Sequence, residues 1–400
     1  MQEIYQHLQR AYTAKLNQLK TTHKRYLYNN INWSARLICI RGARGTGKTT
    51  MLLQYIKENY ADKSKALYIS LDDFHFQTVT LYDVAEYAYQ HGVEAVFIDE
   101  VHYHHLWAQM IKNLYDTYAD LKIVYTGSSM LQLDNAQADL SRRQTIYELY
   151  GFSFREYLQF KDIFDIQPFN LETLLNNHTD ISMQVNQNCR PLALFDEYLK
   201  TGYYPFTMEA KTDYYGRLQQ VMQLSIDQDI PLVEDISFMT LKKIKKLLII
   251  IASQVPLEPN ISTLCREVDS TRNVVVKLLS LLDRAGILAL LSKETHSYRA
   301  LSRPDKIFLN NTNQMFALTE NVNRGTLRET FFLNQLQAYH AVLMPPQGDF
   351  LVDDKYLYEV GGADKTFKQI KDIPDSYLAV DDTEIGIGNR IPLWLFGFLY

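Results

Sequence analysis

Residues 42–49 read Gly-Ala-Arg-Gly-Thr-Gly-Lys-Thr, with every fixed position of the pattern G-x-x-x-x-G-K-[ST] filled. The run stands between a short apolar segment, LICIR, and a helical stretch, TTMLLQYIKENY. Strand, glycine-rich loop and helix in that order leave little freedom. The glycines let the backbone curl so that successive N–H groups point inward at an anion, and the helix adds its positive N-terminal end. In such a loop Lys48 reaches the β- and γ-phosphates and Thr49 places its hydroxyl on Mg2+. The stretch Gly42, Ala43, Arg44, Gly45, Thr46, Gly47, Lys48, Thr49 and Thr50 is therefore expected to hold ATP with Mg2+.

About fifty residues on, Ala95-Val96-Phe97-Ile98-Asp99-Glu100 reads as a buried strand ending in two acids. Following such a loop, Asp99 is expected to organise Mg2+ and Glu100 to polarise the attacking water. A further strand, Lys122–Tyr125, ends in Thr126-Gly127-Ser128-Ser129. Either Ser128 or Ser129 can sense the γ-phosphate there, or the run is a plain Ser/Gly turn. Next comes Asp139-Leu140-Ser141-Arg142-Arg143, whose cation is an arginine finger, in the same chain or on a neighbour, or a solvated basic pair.

Short apolar runs alternate with helical stretches from Arg36 to about Phe154, which predicts an α/β domain with a parallel sheet. Residues 1–30 read as an amphipathic helix and linker, 31–160 as the nucleotide domain, 161–240 as a helical linker, and 241–318 and 319–400 as two smaller domains. The net charge of −5 argues against a nonspecific nucleic-acid coat but leaves room for a local basic face. The three cysteines, Cys39, Cys189 and Cys265, form neither a metal motif nor a disulfide framework, so a reducing compartment is expected. With no apolar run of membrane length and no signal-like N-terminus, a cytoplasmic location and no membrane contact are expected. His102, His104 and His105 lack the spacing that completes a metal site and read as loop histidines near the nucleotide.

The succession GARGTGKTT, LDD, FIDEVHYHHLW, TGSS, an arginine-containing turn and YGFSFREYL resembles the bacterial and archaeal AAA-type ATPases, relatives of the AAA+ and STAND P-loop proteins. The resemblance implies a P-loop NTPase core of five strands with the loop-bearing strand in the middle. It matches Arg143 to the family arginine, with Arg142 where glycine is common, and gives Trp107 a packing role behind the Asp-Glu strand. It also assigns FSFREYL to the exit from the ATPase core and Tyr198–Pro205 to a turn in the linker.

Downstream, 241–318 resembles a winged helix. Asn260 and Ser270 are the expected caps of two helices and Gly286 the end of the second. Val274, Val275, Leu278, Leu279 and Leu282 form its apolar side, with Asn273, Lys277, Ser280 and Arg284 opposite. That face either contacts DNA, through 260–286, or serves a packing module. The run Lys242-Lys243-Ile244-Lys245-Lys246 either adds phosphate contacts or is a solvated helix face.

The last eighty residues resemble a PD-(D/E)XK nuclease fold. A helix acid, Glu329, precedes Asp349 and Glu359, which match its two metal-binding acids, but glycine stands at 361 where lysine is required, and Lys365 or Lys368 lies beyond a Gly-Gly turn. A degenerate domain that holds nucleic acid or a protein is the expectation. Three functions follow: an ATP-hydrolysing switch or motor acting on DNA or a protein, with oligomers allowed; a nucleotide-gated scaffold with negligible hydrolysis; and a nucleotide-regulated nuclease.

Overall fold

The computed structural model describes residues 1–19, 23–128, 140, 142–209, 212–293 and 304–400. Ser129, Asp139 and Ser141 of the expected site lie outside them. The chain divides into two compact units, one of Met1–Tyr150 with Asp227–Asp235, the other of Gly151–Ile226 with Ile236–Tyr400. This corrects the expected boundaries: 151–160 belongs downstream, the 1–30 helix belongs to the first unit, and 161–240 is no separate linker.

The first unit is built on five parallel strands. They are β1 (Leu37–Arg41), β2 (Ala66–Ser70), β3 (Ala95–Asp99), β4 (Lys122–Gly127) and β5 (Thr145–Glu148), in the order β2-β3-β4-β1-β5. This is the core of a P-loop NTPase. The strand that carries the loop is interior but fourth of five, not central as expected. Four of the strands announce themselves as apolar runs buried on both faces. The fifth, Thr-Ile-Tyr-Glu, is half exposed at the sheet edge and gives no such signal.

Helices α1 (Gln2–Gln18), α2 (Lys48–Asn59), α3 (Leu81–Gln90) and α4 (Trp107–Thr117) complete the unit. Tyr5 and Leu8 of α1 join Leu67 and Ile69 of β2 and Val84 of α3 in one buried cluster. Thr80 and Asp83 form a reciprocal capping box that fixes where α3 begins. Trp107 is buried in the cluster that holds Val96 and Ile98 of β3, with its ring 5.4 Å from Tyr125 of β4.

The second unit opens with α5 (Phe154–Phe160), α6 (Leu171–Asn188), α7 (Pro191–Thr201) and α8 (Tyr214–Leu224). The FSFREYL segment is core here: Ser153 Oγ and Arg155 Nε both donate to the Tyr400 carbonyl, at 2.6 and 2.9 Å. Phe154, Phe195, Tyr198, Phe331 and Phe398 pack ring on ring. Gly397 admits this packing, since a Cβ there would stand 2.5 Å from Phe154 Cβ. The Tyr198–Pro205 turn runs from the end of α7 into a 3-10 turn at Pro205–Met208.

Next come α9 (Phe238–Ala252), α10 (Ile261–Glu267) and α11 (Arg272–Arg284), then an antiparallel pair, β6 (Leu288–Leu291) and β7 (Lys306–Leu309). Asn260 caps α10 as expected, accepting from Thr263 N at 3.1 Å. The residue at the start of α11 is Thr271, not Ser270, and its side chain makes no cap bond. Val274 is exposed rather than core, beside Arg272, Asn273 and Lys277.

Helices α12 (Thr312–Leu318) and α13 (Arg324–Leu336) precede a mixed sheet of β8 (Val342–Leu343), β9 (Phe350–Val352), β10 (Tyr356–Gly361), β11 (Ser376–Val380) and β12 (Arg390–Pro392). Strands β8, β9 and β10 pair antiparallel, while β10, β11 and β12 pair parallel. Among the described residues, no helix is long and apolar enough to cross a membrane.

Candidate functional site

Strand β1 delivers the chain to Gly42, and α2 begins at Lys48. Gly45 and Gly47 take φ of 85° and 94°, where a side chain would be strained. Gly42 is required for another reason: a Cβ there would lie 2.3 Å from the Leu149 carbonyl oxygen at the exit of β5. Lys48 Nζ donates to the loop carbonyls of Gly42 at 2.8 Å and Ala43 at 3.1 Å. The ammonium is thus already held over the loop, with Thr50 one turn into α2.

The loop has a brace that its motif does not mention. Arg25 is buried, and its guanidinium donates to the carbonyl of Thr46 and, at 2.7 Å, to that of Tyr150. One side chain therefore ties the loop to the strand-exit segment beside it.

The register of the sheet assembles the second half of the site. Ile98 lies beside Tyr125 and Ile40 beside Thr126, so the ends of β1, β3 and β4 are level. Asp99 is buried at that edge. Its Oδ2 accepts from Thr49 Oγ1 at 2.6 Å and from Tyr68 OH at 2.7 Å, and Thr126 Oγ1 donates to Oδ1. Burial and the Asp99 carboxylate push the Tyr68 phenol far above its ordinary value, so it stays a donor. Thr49 and Asp99 form a cluster of oxygen donors at the foot of the loop, a set that suits a small hard cation such as Mg2+.

Glu100 follows in the left-handed region, at φ 54° and ψ 47°, an uncommon place for this residue type. Its N–H donates to Thr126 Oγ1 at 3.2 Å, so Thr126 bonds both acids at once. Such a conformation is held only when its surroundings determine it. The side chain then meets His102, whose Nε2 lies 3.3 Å from Glu100 Oε2.

The expected residues thus divide. The loop, Thr49, Asp99 and Glu100 come together. Ser128 lies buried one residue past β4. Arg143 stands apart from them. It precedes β5, where Thr145 is level with Ile38, and its guanidinium pairs with Asp116 at 2.9 Å. Four residues separate that level from Gly42, about 13 Å at 3.3 Å per residue. Nor does the His102–His105 run assemble a metal site. Among the described residues, the one group of three ligand atoms close enough to share an ion is His7, Asp73 and His75.

Sequence reading missed Arg25, Tyr68, Thr126 and Asp229. The last reaches the site from far along the chain, 2.6 Å from Arg44 Nη2. Only the buried polar tip of β4 could have been found, as the hydroxyl residue that ends a strand neighbouring the Asp-Glu strand.

Residues 34–158 match the protein family described as "AAA domain", and residues 192–321 a family described as "Domain of unknown function (DUF8612)". The uncharacterized protein MJ1637 of Methanocaldococcus jannaschii is 27% identical over 388 residues, covering 88% of this chain and 80% of that protein. Among solved structures, the Aeropyrum pernix ORC1 protein in complex with DNA aligns at TM-score 0.32 and 11% identity, over 74% of this chain and 89% of that one. AMPPCP-bound DnaA from Aquifex aeolicus aligns at TM-score 0.28 and 16% identity, over 64% and 84% of the two chains. Residues 34–158, within the first unit and its five-stranded parallel sheet, are thus similar to an AAA domain.

Proposed function

We propose that the protein binds ATP with Mg2+ at Gly42–Thr50 and hydrolyses it, using the turnover as a switch on DNA or a protein. The observation that carries this reading is the shared grip of Thr126 on Asp99 and on the backbone of Glu100. It supports Glu100 as more than a strand-end acid, because a surface acid needs no such fixing. Thr49 and Asp99 would hold Mg2+, which neutralises charge on the β- and γ-phosphates when bound. Lys48 and the loop N–H groups bind the phosphates, and Glu100 takes a proton from the attacking water. Ser128 lies near the same edge and is proposed to read the γ-phosphate. Arg143, paired with Asp116, is proposed to serve a neighbouring copy.

Steady-state hydrolysis and binding of a fluorescent ATP analogue test this. Lys48→Ala should lose binding, and Glu100→Gln should bind ATP without turning it over. Normal turnover by Glu100→Gln would refute the assignment. Rates measured with and without DNA report whether the exposed face of α11 couples to the site. A scaffold with negligible hydrolysis is the outcome if the wild-type protein binds ATP and releases no phosphate.

One observation favours a second activity downstream. The lysine missing at 361 is supplied in space by Lys365, whose Nζ lies 3.6 Å from Glu359 Oε2. A Cβ on Gly361 would stand 2.8 Å from the aliphatic stem of Lys365, so glycine here makes room for the displaced lysine. Glu359 is buried, with neither carboxylate oxygen hydrogen-bonded, and Asp349 Oδ2 accepts from Val360 N at 2.8 Å. This supports metal-assisted phosphodiester cleavage over a degenerate domain. Cleavage of plasmid in Mg2+ or Mn2+ that disappears in Lys365→Ala and Asp349→Ala is expected, and its absence from the wild-type protein would dispose of this reading.

A further inference from the structure

The first unit takes back the short stretch Asp227–Asp235 after the chain has left it at Tyr150. The return begins in one π-helical turn, Ser225–Asp229, a geometry that recurs at functional sites. It places Asp229 against the phosphate loop. The carboxylate lies 2.6 Å from Arg44 Nη2 and 3.4 Å from Nε, with the Asp229 side chain only 3% exposed. Tyr103 OH lies 3.2 Å from Arg44 Nη2 and 3.2 Å from Gln228 Oε1, which adds a second tie between loop and segment.

The other side of Asp229 faces His102. His102 Nε2 is 3.5 Å from Asp229 Oδ1 and 3.3 Å from Glu100 Oε2, and neither approach has ordinary hydrogen-bond geometry. The imidazole is almost wholly buried between two carboxylates. Glu100 sits on an uncommon backbone conformation, so its carboxylate direction depends on what its tip meets. That tip meets His102, and His102 is in turn steadied by an acid that Arg44 holds in place. Burial alone pushes the Asp229 carboxyl up, but His102 and Arg44 together outweigh it and leave it below the usual carboxylate range.

We infer that Asp229 is a positioning residue for ATP hydrolysis: through His102 it sets the carboxylate of Glu100, and through Arg44 it fixes the loop, so turnover requires the 227–235 segment to be seated. The inference rests on the reading of Glu100 as the base. Asp229 meets the loop through Arg44, whereas Lys48 is held by its own bonds to Gly42 and Ala43 and binding is carried by Lys48 and the loop N–H groups. Its loss should therefore appear in kcat far more than in ATP affinity. Misplacing a reacting group by about 1 Å costs up to about a hundredfold. Asp229→Ala and His102→Ala are each expected to lower kcat by about ten- to a hundredfold, with KM changed less than about threefold.

The test uses the full chain and compares wild type, Glu100→Gln, Asp229→Ala, Asp229→Asn, His102→Ala, His102→Gln and the Asp229→Ala/His102→Ala double variant. The double variant should be no slower than the slower single, because both act on one carboxylate. His102→Gln, whose amide reaches the same gap, should recover much of the lost kcat. Thermal melting and nucleotide-analogue affinity identify a variant that has lost its fold. The near-isosteric Asp229→Asn then carries the test, and it too should lose kcat with KM retained. Turnover within twofold of wild type in both Asp229 variants, or fully multiplicative losses in the double variant, overturns the inference while leaving the base assignment intact. Normal turnover by Glu100→Gln overturns the base assignment, and the inference with it, without any change at 229.

Discussion

Replacing Thr126 with valine removes one hydroxyl and keeps the side chain's shape. The position is fully buried, so water cannot replace what is lost. Two bonds go: the donation to the Asp99 carboxylate and the acceptance from Glu100 N–H. A hydrogen bond to a charged group contributes about 1.5–3 kcal/mol and a neutral one about 0.5–1.5, so the total is about 2–4 kcal/mol. Asp99 keeps its bonds from Thr49 and Tyr68, so the larger share of the damage falls on Glu100, whose left-handed backbone loses its anchor. At about 1.4 kcal/mol per decade, kcat should fall about thirty- to seven-hundredfold if the whole loss is felt in turnover. Phosphate release under saturating ATP, together with analogue binding, gives kcat and affinity separately. Thr126→Ser, which keeps the hydroxyl, should stay close to wild type. If Thr126→Val turns over within twofold of wild type while Glu100→Gln is inactive, Thr126 does not set the base and the argument from shared hydrogen bonds fails.

Arg143→Ala should leave hydrolysis per chain unchanged at low protein concentration, since the guanidinium is engaged with Asp116 far from the loop; a loss confined to high concentration would assign it to a neighbouring copy. Burial pushes the Asp283 carboxyl up to about 7, against the opposing effects of Leu290 N–H and Arg284. A raised folded-state value means that its stabilising contribution is full below about pH 4 and lost as the pH rises through about 7. Asp283→Asn should therefore raise the melting temperature at pH 8, by at most about 4 kcal/mol of stability, with the gain shrinking toward pH 5; an equal gain at both values would contradict this. Gly397→Ala forces a Cβ to 2.5 Å from Phe154 Cβ and should cost about 1–3 kcal/mol, read as a lower melting temperature with nucleotide affinity unchanged.

The nucleotide site was legible where chemistry fixes both residue type and spacing. The loop glycines, Lys48, Thr49, Asp99 and Glu100 are each demanded by phosphate or cation and lie on runs that predict their own secondary structure. The supports were not legible, because nothing local demands them. Arg25 looks like one more charge in a polar stretch, and its role exists only once β5 brings Tyr150 beside the loop. Tyr68 faces Asp99 because the sheet pairs Ser70 with Asp99, a register that no motif records. Spacing after β4 likewise cannot tell which end of β5 Arg143 will occupy. In the second unit, spacing along the chain does not show that Lys365 lies beside Glu359. The stem of Lys365 fills the volume that a side chain at 361 would have taken.

The division of the chain at 150/151, 226/227 and 235/236 means that the backbone passes between the two units three times. A protease that cuts at one passage splits the chain in two, yet at least one fragment still carries residues of both units, and only cleavage on both sides of the returning stretch sets it free. Nor can the downstream unit be exchanged as a cassette at a single splice. A fragment cut at the limits of the AAA match, 34–158, would drop α1 on one side and Asp227–Asp235 on the other. Such a fragment would keep every residue of the nucleotide motif while uncovering Leu67 and Ile69, so poor solubility of that piece would say nothing about the activity of the whole.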